Sequence, residues 1–135
     1  RGLIGIVIVA HGGLAKEYLS AVEHVVGPQK GIRAIAIEED HDRAAKQTEI
    51  MAAADAVDEG DGVVVVTDMF GGSPSNLSLK ACVAGDRRIV YGANLPMLIK
   101  LAKSRSQPVT EAVASALEAG RKYINSYVGS GQGSQ

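Results

Sequence analysis

The chain predicts an α/β protein: a doubly wound, mainly parallel sheet of four strands with helices on both faces. Two observations carry that prediction. Apolar runs rich in Val and Ile recur as "LIGIVIVA" (3–10), "IRAIAI" (32–37), "GVVVVTD" (62–68) and "RRIVYGA" (87–93), continuous enough for strands buried on both faces. Segments with helical spacing alternate with them, and this strand–helix order implies right-handed crossovers.

Taken in order, the first strand leads at Leu14 into a helix whose apolar residues recur at Tyr18, Val22 and Val25. Gly27 and Pro28 break it. After the second strand, residues 40–58 read as an Ala-rich, charged helix with Gly60 at its exit. The third strand precedes "SPSNLSLKACVAG" (73–85) as the third helix, and the fourth precedes "NLPMLIKLAKS" (94–104). A last helix, "TEAVASALEAG" (110–120), takes Thr110 as N-cap and Gly120 as its stop. Beyond it, "RKYINSYVG" suits a helix or a strand, because Tyr123, Ile124, Tyr127 and Val128 favour the latter. "GSGQGSQ" (129–135) is flexible by composition, which leaves residues 1–128 as one domain.

Composition narrows the function. At 135 residues, 46% of them apolar, the chain is long enough for one buried core. Fourteen basic residues against fifteen acidic ones argue against a nucleic-acid binder. No apolar run approaches the roughly 20 residues of a membrane helix. No signal peptide is expected ahead of the first strand, and the single cysteine, Cys82, excludes an internal disulfide. A cytoplasmic setting follows as the expectation.

Ligands of open α/β sheets sit beyond the carboxyl ends of the strands. Three of the four strands end there in unusual chemistry, "AHGG", "TDMFGGSPSN" and "YGANLPM", whereas "EEDH" after the second reads as a solvated exit. His11 is the candidate nucleophile, since a neutral imidazole attacks well near pH 7. Asp68, on a neighbouring strand end, can take the Nδ1 proton and leave the Nε2 lone pair outward. Gly71 and Gly72 permit positive φ and close approach of backbone N–H groups to an anion. Ser73 reads as an N-cap with Pro74 opening the helix, and Ser73 or Ser75 can add a hydroxyl donor. Asn94 and Pro96 repeat that device, and Met69, Phe70 and Met97 form an apolar collar that excludes water, docks a partner, or belongs to the core. His24 and His41 read as ordinary structural or surface histidines.

Other chemistries fail on residues. "HGG" suits a hydrolase oxyanion loop, but "GGSPS" is no G-x-S-x-G elbow. A phosphohistidine mutase would place arginine beside its histidine, and residue 10 is Ala. There is no Walker sequence, no G-x-G-x-x-G and no metal-ligand spacing, so neither metal nor cofactor is expected.

Together, "AHGGLA", "TDMFGGSPSNLS" and "GANLPMLIK" resemble the enzyme IIA component of the mannose-family phosphotransferase system, over about Ile4 to Gly120. The resemblance implies a doubly wound fold and a homodimer. It also implies a phosphoryl group taken from the phosphocarrier protein HPr onto His11 Nε2, with Asp68 orienting the ring and the GGSP amides supporting the phosphoryl oxygens. An enzyme IIB would receive it in trans. A C-terminal antiparallel edge strand exchanged between subunits is a further implication, with "YINSYV" as its candidate. Two alternatives remain: a regulatory binding module that senses phosphorylation without passing it on, and a dihydroxyacetone-kinase phosphoryl-donor subunit.

Overall fold

The computed structural model describes residues 2–83, 85–129 and 132–133. Four strands, β1 (Gly5–His11), β2 (Ile32–Ile37), β3 (Val63–Thr67) and β4 (Arg87–Val90), form one sheet in the order β2-β1-β3-β4. Every neighbouring pair is parallel. The chain leaves β1 toward one edge and returns to its other side, so strand order reverses between β1 and β3. That reversal opens a crevice at the carboxyl ends of the two central strands.

The helices are α1 (Leu14–Val26), α2 (Arg43–Val57), α3 (Ser73–Ser78), α4 (Leu95–Lys103) and α5 (Val109–Lys122). Alternation along each strand sends side chains to two cores. Ile6, Ile8, Ala10, Val64, Val66 and Val90 pack with residues of α1, α4 and α5. Val7, Val9, Ile35, Val63 and Val65 pack with α2 and α3 on the other face. β3 is buried along its whole length, which is why it can be four valines and a threonine.

Several local expectations are corrected. α3 ends as an α-helix at Ser78 and tightens into a 3-10 turn over Leu79–Cys82. The Ser78 hydroxyl donates to the Pro74 carbonyl at 2.6 Å and competes for the acceptor that a continuing helix uses. Thr110 does not cap α5: the helix begins at Val109, and Thr110 Oγ1 accepts from Arg88 instead. Gly120 is not a stop either. α5 continues to Lys122, and a Cβ at 120 would lie 3.0 Å from Met97 Cβ, so glycine here lets α5 close on α4.

Beyond α5, β5 (Tyr127–Val128) pairs antiparallel with β6 (Gln132–Gly133), a ribbon separate from the main sheet. Within one chain "YINSYV" therefore adds no edge strand to β4. Residues 130, 131, 134 and 135 of the expected tail lie outside the described residues.

The amino ends of β1 and β2 are held together by Arg105, 4% exposed. Its guanidinium donates to the carbonyls of Ile4 (2.8 Å) and Gly31 (3.2 Å) and to Gln29 Oε1 (3.3 Å). Burial pulls its pKa down, against the opposing pull of Glu59. Arg105→Leu would remove these three hydrogen bonds, although the Gly31 carbonyl keeps the Ile6 N–H, and a loss of about 2–4 kcal/mol is expected in urea unfolding.

Candidate functional site

His11 ends β1 and Asp68 follows β3 by one residue. The Nδ1 of His11 lies 2.8 Å from Asp68 Oδ2. The backbone N–H of His11 donates to the same oxygen at 3.0 Å. One carboxylate oxygen thus holds both the ring and its main chain. A carboxylate only accepts, so the proton sits on Nδ1 and Nε2 presents its lone pair. The His11 side chain is 50% exposed against 11% for Asp68, leaving the ring open and its anchor covered. Burial works against the charge of Asp68, but the His11 backbone and ring N–H groups outweigh it. With its own backbone N–H acting in the same sense, the carboxyl is held below its ordinary value.

The GGSP loop closes over the ring. A Cβ on Gly72 would lie 3.2 Å from His11 Cε1 and 3.6 Å from Nε2. A side chain at this position would crowd the ring on the Nε2 side. Of the two glycines, Gly71 alone takes positive φ, at 83°, while Gly72 is extended. Gly72, not Ser73, occupies the N-cap position, with Ser73 and Pro74 in the first turn. Ser75 is buried: its Oγ accepts from Gly71 N–H and donates to the Gly72 carbonyl, both at 3.1 Å. It braces the loop. The N–H groups of Gly72 and Ser73 have no acceptor among the described residues.

Ser73 shares a 400 Å³ cleft with His11, Gly12, Ile37, Glu38, Glu39 and His41. The exit of β2 is therefore part of the site's wall, contrary to its reading as a plain solvated end. The signal was the register, which sets Ile37 beside His11. His41 Nδ1 lies 2.8 Å from the Glu38 carbonyl and so carries a proton toward it.

The collar residues divide. Met69 and Phe70 are exposed, Phe70 at 75%, and Phe70 meets Tyr91 edge to face with centroids 4.9 Å apart. Tyr91 was missed, although an aromatic residue at a strand exit was visible in the sequence. Pro96 is exposed, but Met97 lies in the core at 4%. Asn94 caps α4 by accepting from Met97 N–H at 3.0 Å and donates to the Gly120 carbonyl at 2.8 Å. Its side chain fastens α4 to α5. Among the described residues no group of three or more His, Cys, Asp or Glu is arranged to hold a metal.

A family profile described as "PTS system fructose IIA component" matches residues 5–118, nearly all of this α/β unit. The chain belongs to the mannose-type IIA family of the phosphotransferase system. It is 29% identical over 124 residues to the PTS system mannose-specific EIIAB component of Escherichia coli K12, covering 90% of this chain. This IIA chain spans only 38% of that relative's length. Among solved structures, phosphotransferase component EIIA of Streptococcus agalactiae superposes with a TM-score of 0.82 at 24% identity, over 92% of this chain and 97% of the other. The PTS IIA protein associated with the fucose utilization operon of Streptococcus pneumoniae gives 0.74 at 28%, over 84% and 88%. Among the described residues no helix is long and apolar enough to cross a membrane.

Proposed function

We propose that this chain is a phosphocarrier that accepts a phosphoryl group on His11 Nε2 from phosphorylated HPr and passes it to an enzyme IIB. The observation that carries the reading is the 2.8 Å pairing of His11 with Asp68 under a glycine seated against the Nε2 side of the ring. In the transfer the donor's N–P bond breaks and the Nε2–P bond forms. The electron pair returns to the donor imidazole, and the Nδ1 proton stays against Asp68. The ring becomes cationic as it bonds to phosphorus, and Asp68 offsets that charge. The N–H groups of Gly72 and Ser73, without acceptors among the described residues, would support the phosphoryl oxygens. Positioning and charge stabilisation then supply most of the catalysis.

Exposed Met69 and Phe70 beside the site fit brief docking of a carrier that must leave after each transfer. A homodimer is part of the same reading. Exposed Tyr123, Ile124, Tyr127 and Val128 give the C-terminal segment an apolar surface to bury against a second copy. Sedimentation at micromolar concentration is expected to show twice the mass of the chain.

The deciding experiment incubates the protein with phosphoenolpyruvate, enzyme I and HPr and reads intact mass. One acid-labile phosphoryl group on the wild type and none on His11→Ala is the expected result. No mass shift with an active cognate donor would overturn the reading and leave a binding module.

A further inference from the structure

Asp68 has a second carboxylate oxygen that the proposed transfer does not use. Oδ2 takes both hydrogen bonds from His11, whereas Oδ1 is buried and accepts none among the described residues. The nearby hydroxyls are committed elsewhere. Thr67 Oγ1 donates to the Met69 carbonyl at 3.5 Å, and Tyr18 donates to the Ala93 carbonyl at 3.1 Å. Burial, and then the charge of Asp68, raise the pKa of the Tyr18 phenol, which places α1 within the field of this carboxylate.

Strand register points to Ala10. The pairing of β1 with β3 ends at Val9 opposite Thr67, and the same register continued by one residue would bring Ala10 level with Asp68. Ala10 is wholly buried in the core beneath α1. Its methyl group offers no donor.

A buried acceptor without a donor is unfavourable, and its electrostatic effect is specific. A donor on Oδ1 would stabilise the carboxylate and draw charge away from Oδ2. Without it, among the described residues the side-chain group offsetting that charge is the ring of His11. We propose that Ala10 is a positioning residue that sets the strength of the His11–Asp68 pair by leaving Oδ1 unpaired, so that Asp68 holds a fuller negative charge against the imidazole. The consequence for transfer rests on the phosphocarrier reading. A proton kept on Nδ1 lets the Nε2–P bond break with the electron pair returning to Nε2, and the ring leaves as neutral imidazole rather than as an anion. Ala10 thereby keeps the phosphorylated form labile.

The test follows the imidazole resonances of His11 with pH by NMR in wild type, Ala10→Ser, Ala10→Thr and Ala10→Val. Ser adds one oxygen, while Thr and Val match in shape and differ in the hydroxyl. The other groups around the pair are common to all four proteins: Asp68 beyond β3, Tyr18 on α1, and Glu38, Glu39 and His41 after β2. Ser and Thr are expected to lower the His11 pKa by about half a unit or more, with Val unchanged. The phosphorylated Ser and Thr variants should hydrolyse about 3-fold more slowly. A Ser variant titrating within about 0.1 unit of wild type, or Thr and Val moving together, would overturn the proposal. If the titrations move as expected while no protein accepts a phosphoryl group, the charge inference stands and the phosphocarrier reading falls.

Discussion

Asp68→Asn is expected to slow phosphoryl transfer through His11 by about 10²–10³-fold while HPr still docks within about 2-fold of wild-type affinity. The amide oxygen of Asn can still accept from the Nδ1–H and the backbone N–H of His11, so the ring keeps its place. What it lacks is charge. As Nε2 bonds to phosphorus the imidazole turns cationic, and the substituted residue no longer offsets it. Rapid-quench transfer measured at saturating donor, beside calorimetric titration of docking, separates the two quantities. Docking that collapses while transfer within the complex persists would remove Asp68 from the mechanism.

The same substitution predicts a pH signature. The folded Asp68 carboxyl lies below its ordinary value because the His11 donors outweigh burial. Its contribution to stability is therefore complete above the unfolded value of about 3.9 and is lost as pH falls through the folded value. The gap in unfolding free energy between wild type and Asp68→Asn should narrow as pH falls below about pH 4.

Gly72→Val carries the second large effect, a loss of transfer of about 10²-fold or more with unfolding free energy within about 1 kcal/mol of wild type. Gly72 is extended, with φ −86° and ψ 177°, so valine meets no backbone strain there. Its side chain would instead occupy the space beside His11 Cε1 and Nε2, at 3.2 and 3.6 Å from the first carbon alone. Gly72→Ala should fall between the two. A valine variant that transfers at the wild-type rate would show that the phosphoryl group approaches Nε2 from elsewhere.

The residues of the pair were legible because local pattern suffices for them. "VVVVTD" and "IVIVAH" are strands by composition, and parallel strands bring their carboxyl ends together. The supporting contacts were not legible, since they depend on packing across the fold. Asn94 reads locally as a polar residue at a sheet edge, yet its two ends join Met97 and Gly120 across two helices. Ser75 reads as a donor for an anion until the path of the loop folds its hydroxyl onto Gly72. Gly120 has the composition of a helix end, and only the approach of α4 reveals why no side chain fits. The β2 exit at Glu38 to His41 resembles solvent-facing sequence, and it becomes a wall of the cleft through strand register alone.

The anchor at the amino ends of β1 and β2 bears on how the chain reaches this state. Arg105 closes on the carbonyl of Ile4 across 101 residues of sequence. The sheet contains only parallel pairs, so no hairpin can nucleate it locally. Assembly must begin with long-range encounters, which slows folding and leaves valine-rich strands uncovered while the chain searches. During synthesis the first strand cannot be locked until Arg105 has left the ribosome. A nascent chain stalled short of that point should remain sensitive to protease, and one extended past it should become resistant.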